Sequence, residues 1–353
     1  MGKLPTAILG AKGWVGQHCA RLLADHPYFE QPILVDIIDS GRKLKEVWQI
    51  ADQALPGALE DSVIENLSVP EILKRGVKVV FSALPTSAAL SLEDELAKGG
   101  AAVFTTSPAH RDDRAVPLLV PEINPDHLKL LDARRERGFI VGKSNCTASL
   151  LAMALAPIMD MVEPKEIFMS SYQALSGAGY DGISSLAITD NVIPFIANEE
   201  ERVQAEIRKI LGTYSGEGIV PRELSVFPNC VRVGTRDGHL EAITVRTRRK
   251  VNKEEMIRAW RDFRPMGDRG LPTAPTDPII YRMEADRPQP LRDRWAGTPE
   301  RAKGMALSIG RLRVDDGVIR FFAMDNNSVR GAAGGSLLNA ELAYHEGYLD
   351  SRR

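Results

Sequence analysis

The sequence predicts an α/β protein, with a doubly wound parallel sheet in its first part and a second, α+β domain after it. Three observations predict this. Short apolar runs alternate with helical stretches near the N-terminus, a glycine-rich turn joins the first run to the first helix, and beyond residue 144 longer β-like runs take over. Thr6 to Leu9 reads as a buried strand and Val15 to Leu23 as a helix with apolar residues at helical spacing. Pro32 to Ile38, Val77 to Ala83 and Ala101 to Thr105 read as further strands, and Ala88 to Lys98 as a helix. Strands alternating with helices imply right-handed βαβ units. Thr147 to Met159 is a strongly apolar helix; Glu166 to Gln173, Leu240 to Arg246 and Ala306 to Arg311 read as strands of a substantial second sheet. Pro272 to Pro290 reads as ordered loops or arms, and Gly331 to Tyr348 as a closing helix.

Bulk properties narrow the function. At 353 residues and 44% hydrophobic, the chain can bury a real core. A formal net charge of −2 gives no reason to expect nucleic acid or an anionic membrane as partner. Three widely spaced cysteines form no CxxC pair and no metal-ligand cluster, which fits a reducing compartment. The opening MGKLPTAILGAKG reads as a strand and not a signal peptide. No run approaches the ~18 apolar residues of a membrane span. The expectation is a cytoplasmic enzyme acting on a small molecule.

The first motif is ILGAKGWVG, with Gly10, Gly13 and Gly16 directly after a strand and opening a helix. Glycines there permit a tight turn and close approach of backbone amides to a pyrophosphate, which the helix N-terminus favours. The GxxGxxG spacing is a variant of the Rossmann fingerprint and is weak alone; its strand–turn–helix setting strengthens it. The bland alternative is a tight turn of any doubly wound protein. Asp36 and Asp39, near the end of the second strand, suit the ribose of NAD, whereas Ser40, Arg42 and Lys43 suit the 2′-phosphate of NADP. The two sets oppose each other.

The second motif is Cys146 in KSNCTAS, between an apolar strand and an apolar helix. A helix N-terminus stabilises a thiolate and, through its free amides, an oxyanion on a bound carbonyl. Free cysteines are usually inert and buried, the fate expected for Cys19 in the first helix. A nucleophilic thiol needs a base, and His239, at a turn before a strand in DGHLEAITV, is the best placed of six histidines. Arg232, seven residues earlier, adds a candidate carboxylate partner. Arg111 and Lys209 are candidate anion clamps, though such cations mostly serve solvation.

Taken together, these stretches resemble the aspartate-semialdehyde dehydrogenase family, in its archaeal and fungal branch, over nearly the whole chain. The resemblance is carried by the glycine turn, SALP (Ser82 to Pro85), SPAHR (Ser107 to Arg111), VPLLVPEIN, SNCT, QALSGAGYDG (Gln173 to Gly182), DNVIPFI, RV…DGH and N-x-VRGAAGG (Asn327 to Gly335). It implies that Cys146 is the nucleophile and His239 the acid/base, with Gln173 and Asn145 orienting the intermediate. Arg232 would pair with the substrate α-carboxylate and Glu206 with its amino group, while Lys209 and Arg111 hold the phosphate. Gly10, Lys12, Gly13, Trp14, Val15, Gly16, Ser40, Ser82, Ser176, Gly177, Gly179 and Asn327 would line the cofactor, NADP with NAD as alternative, and no metal is implied. Residues 1–145, with 330–353 packing back, would form the dinucleotide-binding domain, and 146–329 the catalytic and dimerisation domain of a homodimer or homotetramer. The implied reaction is NADPH-dependent reduction of L-aspartyl 4-phosphate through a cysteine thioester. Gly234, where the family usually has proline, keeps malonyl-CoA (or succinyl-CoA) reductase as an alternative with an acyl-CoA substrate. N-acetyl-γ-glutamyl-phosphate reductase fits less well because SNCTAS does not match its GCYPT-like turn. A non-catalytic NAD(P) sensor would not require Cys146, His239, Gln173 and Arg232 together.

Overall fold

The structure, a computed structural model, describes residues 2–134 and 138–349. Its first sheet has seven strands: β1 (Thr6–Leu9), β2 (Ile33–Val35), β3 (Ile64–Glu65), β4 (Val79–Ser82), β5 (Ala102–Thr105), β6 (Leu118–Leu119) and β7 (Phe139–Lys143). Their order is β3-β2-β1-β4-β5-β7-β6 and every pairing is parallel. Strand order reverses between β1 and β4, and in such sheets ligands bind in the crevice beyond that switch point. Helices α1 (Trp14–Leu23), α2 (Val69–Lys74) and α3 (Thr86–Lys98) supply the crossovers. All four residues of β1, β4 and β5 are buried, as a sheet covered on both faces requires.

The second strand is shorter than its apolar run. It stops at Val35 because the Asp36 carboxylate accepts the Lys12 amide at 3.0 Å and the Ile38 amide at 2.9 Å, turning the chain away. β3 and β6, two residues each, carry too little pattern to be read from sequence.

Helix α4 (Cys146–Leu155) follows β7 directly and is buried almost throughout. The second sheet is mixed, in the order β11-β8-β12-β15-β14-β13, from β8 (Pro164–Gln173), β11 (Val226–Arg232), β12 (His239–Thr247), β13 (Ile279–Arg282), β14 (Leu307–Asp315) and β15 (Val318–Asp325). β9 (Thr213–Tyr214) and β10 (Ile219–Val220) form a separate hairpin. β13 lies inside the segment expected to be loops, where it pairs in parallel with β14.

One face of this sheet is covered by apolar residues of α4, of α7 (Glu199–Ile210) and of α8 (Lys253–Asp262); α5 (Met159–Val162), α6 (Ser185–Ile188) and α9 (Pro290–Asp293) are single turns. On β8 and β11, Phe168, Tyr172 and Phe227 instead point outward and are exposed, with the two phenylalanine rings stacked at 5.1 Å. A π-helical turn at Val329–Ala333 leads into α10 (Gly334–His345), which shares the core of the first sheet. His127 is fully buried between Asn124 and the Gly212 carbonyl.

Candidate active site

Cys146 opens α4, and Asn145 caps that helix through Oδ1, which accepts the Ala148 amide at 3.0 Å. The thiol therefore sits at the positive end of a helix dipole. Its Sγ lies 3.3 Å from Nε2 of His239, the first residue of β12. Nδ1 of that ring faces the Ala174 amide at 3.2 Å. A backbone N–H can only donate, so Nδ1 is the acceptor, and the neutral ring carries its proton on Nε2, toward sulfur. Burial, reinforced by the Arg232 charge, pushes the imidazole down to about 3. Burial also pushes the thiol up to about 12; Glu199 and Asp325 add to this, and Lys143 and Arg111 oppose it. The resting pair is consequently a neutral thiol facing a neutral imidazole. Gly331 closes the floor, since a Cβ there would come within 2.7 Å of the Cys146 Cβ.

Around the thiol lies a cavity of about 260 Å³, lined by Cys146, Asn145, Gln173, Arg111, Arg232, Glu199 and Arg202 among others. Gln173 ends β8, and its amide nitrogen donates to Thr147 Oγ1 (2.8 Å), Ser171 Oγ (3.2 Å) and Glu199 Oε1 (2.8 Å). The carboxamide oxygen is thus its uncommitted end. Arg232 ends β11, where its Nη1 donates to the Ala174 carbonyl at 2.6 Å, and burial lowers its pKa. The Ala174 peptide is gripped from both sides, by His239 through its amide and by Arg232 through its carbonyl.

The remaining cations sit further back. Arg111 pairs with Glu206 Oε1 at 3.1 Å and donates to the Thr106 carbonyl, while Glu206 Oε2 accepts the Asn145 amide at 2.5 Å. Lys209 spends its ammonium on the carbonyls of Arg111 and Asp113, each at 2.8 Å. Lys209 and Glu206 line a separate groove of about 570 Å³ with Arg114 and residues 215–221, and Arg111 borders both spaces. The structure thus brings Cys146, Gln173, Asn145, Arg111 and Arg232 to one cavity, with His239 buried against the Cys146 sulfur and Glu206 and Lys209 lining the neighbouring groove.

Two charged cavity residues escaped the sequence reading, Glu199 and Arg202. Glu199 accepts from Asn145 Nδ2 at both oxygens (3.1 and 3.0 Å), from Thr147 Oγ1 at 3.0 Å and from Gln173. A signal existed: Glu199, Val203, Glu206, Ile207 and Ile210 share the buried face of α7, so two carboxylates occupy an apolar stripe.

The glycine turn is built for close approach. Gly10 has φ +74°, and a Cβ on Gly16 would lie 2.1 Å from the Gly10 carbonyl oxygen. The N-terminus of α1 has no side-chain cap, leaving its amides for an anionic group. Trp14 Nε1 donates to Ser328 Oγ at 2.8 Å, and Asn327 Nδ2 donates to Ser176 Oγ at 2.9 Å, joining this turn to the 176–179 segment. Val15, Ser176, Gly177 and Asn327 line the thiol cavity itself, so the turn and Cys146 open onto one space. Those features fit a dinucleotide extended from the crevice to the sulfur. Ser82 is only 2% exposed and presents almost no surface to it. Beside the second strand, Asp39 is shared by Lys12 (3.9 Å) and Arg42 (3.2 Å), and Ser40 is exposed.

A switch-point crevice with a glycine turn, opening onto a thiol at a capped helix start, is the architecture of a nicotinamide-dependent dehydrogenase. Family profiles described as "Semialdehyde dehydrogenase, NAD binding domain" and "Semialdehyde dehydrogenase, dimerisation domain" match residues 5–131 and 155–329. Aspartate-semialdehyde dehydrogenase of Archaeoglobus fulgidus is 40% identical over 349 residues, covering 96% of this chain and 97% of that one. Malonyl CoA reductase (NADP) of Metallosphaera sedula is 37% identical over 359 residues and 99% of each chain. The crystal structure of aspartate semialdehyde dehydrogenase with NADP from Candida albicans matches with a TM-score of 0.85 at 30% identity, covering 98% of this chain and all of that one. The chain belongs to the semialdehyde dehydrogenase family.

Proposed function

We propose that this protein reduces L-aspartyl 4-phosphate to L-aspartate 4-semialdehyde and phosphate with NADPH, reversibly, through a thioester on Cys146. The observation that carries the reading is the Cys146–His239 contact at a capped helix start, in a cavity shared with the glycine turn. Residues 1–145 with 330–353 serve as the dinucleotide-binding domain and residues 146–329 as the catalytic and dimerisation domain. Gly10, Gly13 and Gly16 with the α1 N-terminus hold the pyrophosphate, and Ser176, Gly177 and Asn327 flank the nicotinamide end.

Attack by Cys146 forms a C–S bond, breaks the C–O bond to phosphate, and passes the thiol proton to the departing phosphate, which Arg111 faces. Held in this crevice, the nicotinamide cofactor supplies the hydride that reduces the thioester. The resulting alkoxide on Cys146 collapses: C=O re-forms, the C–S bond breaks, and the electron pair returns to sulfur opposite the Nε2–H of His239. One proton is consumed overall. Gln173 and Asn145 fix the geometry, and Arg232 takes the substrate α-carboxylate through a planar fork. Dividing the reaction at a thioester replaces one difficult step by two moderate ones.

The exposed Phe168, Tyr172 and Phe227 on the outer face of the second sheet support homodimer formation through that face. A second reading, an acyl-CoA reductase, is favoured by the groove of about 570 Å³ beyond Arg111, whose size and Arg114 suit a larger leaving group. The test is NADP⁺ reduction by aspartate semialdehyde with and without phosphate, beside NADPH oxidation by malonyl-CoA. Strict phosphate dependence, lost in Cys146→Ala with cofactor binding intact, is expected; turnover of malonyl-CoA alone, or an active Ala variant, overturns the reading.

A further inference from the structure

Behind the start of α4, away from the open cavity, lie two buried ionisable groups whose charges no contact neutralises among the described residues. Lys143 ends β7, and its ammonium donates only to neutral oxygens: the Ser144 carbonyl (3.0 Å), Ser144 Oγ (3.3 Å) and Ser149 Oγ (3.1 Å). Ser149 Oγ donates in turn to the Cys146 carbonyl at 3.0 Å, so hydrogen bonds tie the ammonium to the first turn of α4. The backbone makes room for this side chain, since a Cβ on Gly335 of α10 would lie 2.4 Å from Lys143 Cε. Asp325 ends β15 directly across from His239 in the sheet register, and neither carboxylate oxygen has a hydrogen-bond partner. Burying an ion without a counter-charge in contact is costly. Both groups act on the same sulfur with opposite sign: the Lys143 charge favours the Cys146 thiolate and the Asp325 charge disfavours it.

We propose that Lys143 and Asp325 are positioning residues for Cys146, a pair of opposed buried charges that sets how readily its thiol ionises. The assignment rests on Cys146 as the nucleophile and adds what tunes it. Burial, reinforced by the Arg330 and Arg111 charges, pushes the Lys143 ammonium down to about 7, with Cys146 and Asp325 opposing. Burial pushes Asp325 up to about 7, with Lys143 and Arg330 opposing. Lys143 therefore carries its charge below pH 7 and Asp325 above it. The other elements around the sulfur add Glu199 of α7, which disfavours the thiolate, Arg111, which favours it, and the neutral His239 ring. Beside Asp325, Glu241 of β12 is held well above the usual carboxylate range by burial and by the Asp325 and Glu199 charges, so it stays protonated. Arg330 is paired with Glu122. As the pH rises through 7, the thiol loses a buried cation and gains a buried anion. Its ionisation is favoured in the lower range and restrained in the upper.

The experiment follows iodoacetamide labelling of the Cys146 peptide in the full-length protein from pH 6 to 9, each variant read as a ratio to the unaltered protein at the same pH. No substrate enters the assay, so its failure is distinct from failure of the proposed reaction, which the Cys146→Ala assay reads. Lys143→Met keeps much of the side-chain volume and removes the charge. It is expected to label about tenfold more slowly at pH 6, the effect of one nearby charge on a thiol, and to converge on the unaltered protein by pH 9. Asp325→Asn is expected to match the unaltered protein at pH 6 and to label about tenfold faster at pH 9. A purely structural role would displace each profile by the same factor at every pH. Parallel displacement of that kind, or no displacement, overturns the proposal. Asp325→Asn keeps the side-chain shape and removes no hydrogen bond, so it decides the question alone if Lys143→Met fails to fold.

Discussion

Buried charge is handled in opposite ways in two regions of this molecule. Where α10 and its preceding turn close onto the first sheet, Arg330, Glu122 and Glu341 are matched by protein partners. Arg330 meets Glu122 through two parallel bonds, at 2.5 and 2.9 Å, with both side chains nearly inaccessible. Glu341 accepts from His26, from the Thr273 amide and from the Thr273 hydroxyl. In the thiol cavity, by contrast, Glu199 is held by neutral hydrogen-bond donors, Arg232 donates to a single carbonyl, and Cys146 faces a neutral ring. These three seam groups spend their hydrogen-bonding capacity on the protein, whereas Arg232 keeps donors in reserve.

The comparison breaks first at the seam. Glu122→Gln leaves the Arg330 guanidinium buried beside a neutral amide, and removing one partner of such a pair costs about 3–5 kcal/mol. The expected result is a large fall in the urea midpoint. A change under about 1 kcal/mol would mean that the pair is relaxed by water and that the seam is no better matched than the cavity.

Arg232→Lys tests the cavity side. A lysine keeps the charge but loses the fork, and it cannot hold both the Ala174 carbonyl and a carboxylate in one plane. KM for the semialdehyde should rise about ten- to hundred-fold, as expected for one lost charge-assisted bond, with a smaller loss in kcat. Unchanged kinetics would remove Arg232 from substrate recognition.

What the sequence disclosed follows the same division. The parallel sheet was legible because β1, β4 and β5 are buried on both faces and read as unbroken apolar runs. Cys146 and the glycine turn were legible because their chemistry depends on local context, a helix start or a tight turn. Arg232 and His239 were legible as candidates, but not their geometry: they flank β8 instead of sharing one strand–turn, and they meet only through Ala174. Glu199 escaped because it opens an acidic run, Glu199 to Glu201, which reads as the solvated, dipole-favoured first turn of any helix. Only the rotation of α7 against α4 distinguishes the buried Glu199 from the exposed Glu201. Lys209 was read as an anion clamp from its position in a motif, yet its ammonium is occupied by two backbone carbonyls.

The smallest expected signal comes from the unaltered protein and concerns the resting state of the thiol. A thiolate–imidazolium pair would make Cys146 reactive at neutral pH, with an alkylation rate already on a plateau. Here the Ala174 amide occupies Nδ1, so the ring cannot take a second proton there without losing that bond, and burial holds the imidazole down near 3. With its own value pushed up to about 12, the thiol is protonated from acid pH through pH 9. Alkylation proceeds through the thiolate, whose fraction rises about tenfold per pH unit below the thiol pKa. Iodoacetamide labelling of the Cys146 peptide should therefore keep climbing between pH 6 and 9 with no plateau. A plateau reached by pH 7 would show an ion pair formed before substrate arrives, and the neutral, waiting character assigned to the cavity would be wrong.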